Sequence, residues 1–408
     1  MRKTMTAALS AITLVALGSP TLPATAAPAG SDAAGYIVVL KDGAAAGKVA
    51  EEHSRRYNAD VNHVYRAALK GYSARMSATA ADQVREDARV QFVQRDGVVH
   101  ASAQSTPTGI NRANADASAT ALIDGADERV NVDVAVIDSG VDLDHADLNV
   151  YTAGAKNCST GRSADDGNGH GTHVAGTIGA KDDTNGVVGM APGARIWPVR
   201  VLNNAGSGTW SAVVCGIDYV AANASSIEVA NMSLGGTGTD DGNCGRSNND
   251  AMHTAICNAV DAGVTFVVAA GNETDNSANH IPAAYDEVIT VSALADFNGL
   301  PGGGAASTCR ADEDDTIANF SNFGADVDII APGVCINSTW KSGGYSTISG
   351  TSMASPHVAG GAALYKANNP SASPAQVKSA LQNAGTTDWS TAGDPDGIKE
   401  KLLDVSGF

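Results

Sequence analysis

The sequence predicts a doubly wound α/β domain, a mostly parallel sheet flanked by helices, preceded by a small α+β ferredoxin-like unit. Three observations point there. From Val130 onward, short apolar runs alternate with helix-length stretches. The runs are continuous rather than alternating, as in strands buried on both faces. The first hundred residues carry a different pattern and the opposite charge.

The chain opens on Arg2 and Lys3, an apolar run Ala7–Leu17, and small residues at Ala24–Ala27. This is the pattern of a secretory signal peptide, assigned to residues 1–27. The run is too short to span a bilayer, and no later segment is apolar enough. The expected location is therefore extracellular. Residues 28–105 form the next expected segment. Within it Tyr36–Lys41, Val61–Tyr65, Gly71–Met76 and Val90–Gln94 read as strands, and Ala45–Tyr57 and Thr79–Ala88 as helices. That β-α-β-β-α-β order is ferredoxin-like. A polar stretch, Ala101–Asn114, reads as a linker.

Residues 106–408 form the main domain. Strands are expected at Val132–Ile137, Arg195–Leu202, Glu228–Met232, Val264–Ala269, Val288–Val291 and Val327–Ile330. Helices are expected near 170–180, 209–223, 249–262, 351–367 and 374–384. Hydrophobic residues make up 43% of the 408, aromatics only 5%, and there are 45 glycines, so the core is built from small aliphatic side chains. Residues 1–105 hold 12 Lys and Arg against 9 Asp and Glu, and residues 106–408 hold 14 against 35. The acidic body argues against nucleic acid or an anionic membrane as partner. The basic first segment suits docking on it. All six cysteines lie beyond residue 150. An even set in an exported chain predicts disulfides, of which 15 pairings exist. The simplest joins sequence neighbours: Cys158 with Cys215, Cys244 with Cys257, Cys309 with Cys335.

Three segments concentrate chemistry. In Ala135-Val136-Ile137-Asp138-Ser139-Gly140 an apolar strand ends in Asp138, at the edge where α/β sheets place their sites; alone it reads equally as a turn residue. In Asp166-Gly167-Asn168-Gly169-His170-Gly171-Thr172-His173 a glycine-rich turn delivers His170 to a helix start. His170 and His173 share a helix face, but a zinc site needs a third ligand and none is evident; His173 is expected inside the protein. In Gly350-Thr351-Ser352-Met353-Ala354-Ser355-Pro356-His357 a serine opens an apolar helix, among free backbone N–H groups; alone it reads as a cap. Together the three supply a weak nucleophile, a base near neutral pKa and a carboxylate to orient it.

These segments resemble the Asp, His and Ser signatures of the subtilisin-like serine proteases, an order of triad residues already tied to subtilisin. The resemblance covers about residues 107–385. Residues 36–100 resemble the family's inhibitory propeptide, and Ser233-Leu234-Gly235-Gly236 with the disulfides resembles the proteinase K-like branch. The resemblance implies a secreted endopeptidase acting on protein or peptide substrates as a monomer, with its own propeptide as inhibitor until cleavage near residues 101–107. It implies catalytic roles for Asp138, His170 and Ser352. Asn272, in Ala269-Ala270-Gly271-Asn272, would donate to the oxyanion. Ser233, Leu234 and Gly235 would pair with substrate backbone, and Ala269, Ala270 and Gly271 would wall the pocket, with His280 at its floor.

Val174 departs from a cysteine common in that branch, and Met353 is an oxidation liability. No cofactor is required for the chemistry. Asp147 and Asp183, in the loop Asp182-Asp183-Thr184-Asn185-Gly186, resemble a structural calcium site. The acidic run Asp312–Asp315 is a second candidate. A non-catalytic binding protein on the same scaffold would have lost a triad residue, and here none is missing.

Overall fold

The computed structural model describes residues 33–96 and 104–408. The expected signal peptide lies outside these residues. The chain forms two compact units, divided after Ala101.

The first unit runs β1 (Ala34–Leu40), α1 (Ala46–Tyr57), β2 (Asp60–Tyr65), β3 (Gly71–Met76), α2 (Ala78–Arg85) and β4 (Val90–Arg95). Its sheet order is β2-β3-β1-β4, antiparallel throughout, the ferredoxin-like arrangement expected. Val49, Ala50 and His53 of α1 and Ala80, Ala81 and Val84 of α2 turn inward, onto Val38, Tyr72 and Met76. Asn58 closes α1 in the left-handed region, at φ 51°. Ser77 opens α2 by accepting the Ala80 N–H at 3.1 Å.

The second unit runs α3 (Thr108–Arg112), β5 (Asp133–Asp138), β6 (Lys156–Asn157), α4 (His170–Gly179), β7 (Arg195–Arg200), α5 (Trp210–Ala222), β8 (Val229–Met232), β9 (Gly236–Thr237), α6 (Ala251–Asp261) and β10 (Thr265–Ala269). It continues with β11 (His280–Ile281), β12 (Ile289–Ala295), β13 (Thr316–Ile317), β14 (Ile329–Pro332), β15 (Ile336–Trp340), β16 (Gly344–Ile348), α7 (Thr351–Asn368) and α8 (Pro374–Ala384). The main sheet orders β13-β12-β10-β8-β5-β7-β6, with β14 also on β12. Every pairing is parallel except β12 with β13.

Helices cover both faces, and β5 shows why its sequence is a continuous apolar run. Val134 and Val136 pack toward α4 and α7, while Ala135 and Ile137 pack toward α5 and α6. Each valine or isoleucine so buried is worth about 1.5–3 kcal/mol. Helix α7 is buried around nearly its whole girth, so it shows no apolar stripe. It packs on α4 and on β8, β10, β12 and β14. Gly360 permits this, because a Cβ there would collide with the Met190 side chain.

Several expectations are corrected. The stretch read as a linker contains α3, with Ile110 and Arg112 buried. The strand expected at 288–291 extends as β12 to Ala295, and the one expected at 195–202 stops at Arg200. The hairpin β15–β16 and the pair β9–β11 were not expected. The disulfides join Cys158 to Cys215, Cys244 to Cys257 and Cys309 to Cys335, as the simplest pairing had it. Among the described residues, no helix is long and apolar enough to cross a membrane.

The Cys158–Cys215 bridge joins the end of β6 to α5 across 57 residues, and such loops carry a large closure entropy. Replacing both cysteines by serine is expected to cost about 2–5 kcal/mol, read as a lower guanidinium midpoint.

Candidate active site

The site gathers at the carboxyl ends of β5, β8 and β10, where three chain segments must meet without colliding. Asp138, the last residue of β5, is fully buried. Its carboxylate takes the Ser139 N–H at 2.6 Å and His170 Nδ1 at 2.8 and 3.0 Å. Nδ1 therefore carries the proton, which leaves Nε2 as the basic nitrogen. Burial pushes the His170 pKa down, but the charge and hydrogen bond of Asp138, with Asp166 beyond, push it up by more, so it sits above the ordinary histidine value.

The approach of α4 to β5 requires glycine. A Cβ on Gly171 would strike the Gly140 carbonyl and press on Asp138 Cβ. Asp166 braces the junction. Its Oδ1 accepts from Asn168 N, Gly169 N and Ser139 Oγ at 2.9, 2.9 and 3.0 Å. Its Oδ2 accepts from Thr172 N and Oγ1 at 3.0 and 2.6 Å. Ser139 Oγ in turn accepts from Gly171 N at 3.0 Å. One buried carboxylate thus ties the strand end to the first turn of α4.

Ser352 stands second in α7, where its own N–H has no intrahelical partner. Its hydroxyl donates to the Ser233 carbonyl at 3.2 Å rather than to His170. A polar chain fixes this helix start to β8. Ser233 Oγ donates to the Ser352 carbonyl at 2.8 Å, Asn231 Nδ2 donates to Ser233 Oγ at 2.9 Å, and Ser355 Oγ donates to Asn231 Oδ1 at 2.7 Å.

Asn272 is held by its oxygen. Oδ1 accepts from Thr351 N at 2.9 Å and Thr351 Oγ1 at 3.1 Å, which leaves the amide nitrogen for a ligand. Buried Asn322 holds the rest of that loop: its Oδ1 takes Glu273 N and Asp275 N, and its Nδ2 donates to the Ala270 carbonyl and Glu273. Asp166, Thr351, Asn322 and Asn231 were not singled out from the sequence. Asn231 offered the clearest signal, a primary amide inside an apolar strand, since such a group must find partners.

Two cavities flank Ser233–Gly235. One, of about 160 Å³, is walled by Leu234, Gly235, Ala269, Ala270 and Gly271 and reaches Asn272, Ser352 and His280. The expected wall residues and the expected floor histidine thus come together. The other, of about 740 Å³, runs from His170 past Ser233, Leu234 and Gly235 to Trp210.

His173 does not join His170. It is fully buried, its Nε2 donates to the Ile336 and Ser346 carbonyls at 2.9 and 3.2 Å, and burial lowers its pKa to about 3. Met353 is buried as well.

In the acidic run at 312–315 the three aspartates already accept from protein donors. Asp312 accepts from Asn319 N and Arg310, Asp314 from Phe297 N and Ala305 N, and Asp315 from Arg112 and Gly303 N. Asp147 differs. Its Oδ2 accepts from Val187 N and Tyr345 Oη at 3.0 and 3.2 Å, but its buried Oδ1 has no partner.

The subtilase family model matches residues 130–400, and the peptidase inhibitor I9 model matches residues 35–102. Subtilisin E of Bacillus subtilis (strain 168) is 37% identical over 317 residues, covering 77% of this chain and 75% of that protein. Subtilisin DY of Bacillus licheniformis is 41% identical over 287 residues, covering 70% and 93%. Among solved structures, a cold adapted subtilisin-like serine proteinase superposes with a TM-score of 0.52 at 36% identity, covering 67% of this chain and 88% of that one.

The bracing role of Asp166 is testable. Asp166→Asn keeps one acceptor oxygen and sets an amide against donors. It should cost about 1–3 kcal/mol, seen as a lower urea midpoint; an unchanged midpoint would contradict the bracing role.

Proposed function

The chain belongs to the subtilase family, and on that premise we propose that it is a secreted serine endopeptidase working through an acyl-enzyme on Ser352. The observation that carries this reading is the pairing of His170 Nδ1 with the buried Asp138 carboxylate, beside a serine at a helix N-terminus. Asp138 fixes the tautomer and stabilises the imidazolium that forms. His170 Nε2 takes the Ser352 proton as Oγ turns from the Ser233 carbonyl and attacks the scissile carbonyl. The oxyanion is received by the amide of Asn272, held open by Thr351, and by the Ser352 N–H. His170 then protonates the leaving amine, and water releases the acyl group.

Substrate backbone pairs with Ser233–Gly235 as an added strand. The side chain before the scissile bond enters the smaller cavity, walled by Ala269, Ala270 and Gly271. The I9 unit acts as intramolecular inhibitor until cleavage near residues 101–107, with residues 1–27 directing export. The mature enzyme acts on protein or peptide substrates as a monomer, and its acidic surface gives nucleic acid and anionic membrane no purchase.

No cofactor takes part in the chemistry, but the residues at Asp147 fit a structural calcium ion. Its Oδ1 is buried and unpartnered. Burial, with Asp183 nearby, pushes its carboxyl up to about 7. A hard cation on that oxygen would relieve both conditions. Asp147 and Asp183 would hold it.

Four outcomes test the proposal. Ser352→Ala should abolish casein hydrolysis, while Asn272→Ala should lower kcat by about 10²–10³, the magnitude characteristic of subtilisin; casein hydrolysis at the parent rate in Ser352→Ala would sink the assignment. The base must be neutral and its pKa is raised, so the acid limb of kcat/KM should lie above about 6.5. Asp138→Asn should move that limb down and lower kcat by about 10⁴.

The cation-free Asp147 carboxyl titrates near 7 when folded and near ~3.9 when unfolded. Protonation then favours the fold, and the destabilisation grows as pH rises from about 4 to 7. Chelation of calcium should therefore lower Tm more at pH 8 than at pH 5, and Asp147→Asn should remove that difference.

A further inference from the structure

The proteolytic reading sends the side chain before the scissile bond into the smaller cavity. Residues 234–236 and 269–273 line it, and Ser352 borders it. Strand β11 touches both of these segments. It pairs antiparallel with β9, His280 opposite Thr237 and Ile281 opposite Gly236, and a Cβ on Gly235 would meet the Ile281 carbonyl oxygen at 2.9 Å. On the other side, His280 Nδ1 lies 3.6 Å from Glu273 Oε2. His280 thus bridges the two walls and closes the cavity between them.

A floor that could swing aside would set no limit, but this imidazole is held. Its Nε2 donates to Asp275 Oδ2 at 3.1 Å, and its side chain is only 13% exposed. The carboxylates on either side of the ring are fastened in turn. Glu273 Oε2 accepts from Asn272 N at 2.8 Å and from Nδ2 of buried Asn322 at 2.9 Å. Asp275 N donates to Asn322 Oδ1 at 3.0 Å, and Asn279 Nδ2 donates to Asp275 Oδ2 at 3.2 Å. The floor therefore hangs on the same buried amide that holds the loop carrying Asn272.

We propose that His280 is a specificity residue whose fixed imidazole sets the depth of this cavity, restricting the residue before the scissile bond to aliphatic side chains of leucine or methionine size. This rests on the proteolytic reading. The cavity holds about 160 Å³, roughly five water molecules at ~30 Å³ each. That room takes a leucine or methionine side chain, and the ring of phenylalanine or tryptophan exceeds it. Leu234, Ala269, Ala270, Ile281 and Ala283 give it an apolar lining. Glu273 and Asp275 set two carboxylates against one imidazole at its end, so an acidic side chain would be left there as an unpaired charge among like charges.

The test uses the mature enzyme and peptide p-nitroanilides that differ only in the residue before the scissile bond. Reactive Ser352 is counted separately with a fluorophosphonate that carries no peptide. Values of kcat/KM should be highest for leucine and methionine, lower by about 10-fold or more for phenylalanine and tryptophan, and lowest for glutamate. His280→Ala should raise the phenylalanine-to-leucine ratio by about 10-fold or more. Asp275→Ala, which frees the ring, should raise it by a smaller factor, and Asp275→Asn, which keeps an acceptor, should return it toward the parent. Each ratio is read on one preparation, so the fraction of folded enzyme cancels. A parent that cleaves after phenylalanine as readily as after leucine, or an unchanged ratio in His280→Ala, would overturn the floor. So would a preference for lysine over leucine, which would put the determinant in the carboxylates. With Ser352 labelled, those results leave the proteolytic reading intact; no label and no hydrolysis would sink that reading, and the floor with it.

Discussion

A carboxylate buried without exposed surface is costly unless its charge is met, and Asp138 is that carboxylate. Meeting its charge determines the architecture around it. The Ser139 N–H and the His170 imidazole both converge on it. His170 can reach it only if α4 begins within van der Waals range of β5, which is why position 171 is a glycine against the Gly140 carbonyl. Asp166 then holds strand end and helix start together through five donors. The electrostatic demand of one side chain explains much of the glycine and hydroxyl content of two segments far apart in sequence.

The second half of the site is fastened by the same kind of local satisfaction. Helix α7 lies inside the protein, so its polar first turn has to find protein partners. Asn231, Ser233 and Ser355 form one chain, and Thr351 with Asn272 forms another. These contacts tether Ser352 at the start of α7 and the Asn272 amide in the loop after β10, the preorganisation that the proposed oxyanion site needs. Separately, His173 and His357 are kept neutral by burial, their pKa values lowered to about 3 and 4, so the interior near the site gains no competing positive charge at neutral pH.

Much of the fold was legible because strands buried on both faces cannot hide. The runs around Val134–Ile137, Val229–Met232 and Thr265–Ala269 are apolar at every position but one or two. The hairpin β15–β16 was not legible. Its strands, INSTW and GYSTI, are polar and short, and their partners are each other and α4 rather than the main sheet. Of the candidate site, the residues in dense glycine-rich motifs stood out in the sequence, and the expected pocket wall came from the family resemblance. Thr351, Asn322 and Asp166 were not, because their significance lies in contacts across long sequence separations. In the run 312–315, likewise, composition shows charge but not the donors that Asp312, Asp314 and Asp315 already accept.

The account rests on covalent chemistry at one oxygen. It is tested most directly by mixing mature enzyme with a chromogenic acyl ester, quenching in acid within the first turnover, and mapping the acyl mass by peptide sequencing. The account predicts a burst of about one equivalent per enzyme, with the acyl group on Ser352 and no burst in Ser352→Ala. An acyl group on another residue, or an undiminished burst in Ser352→Ala, would contradict it.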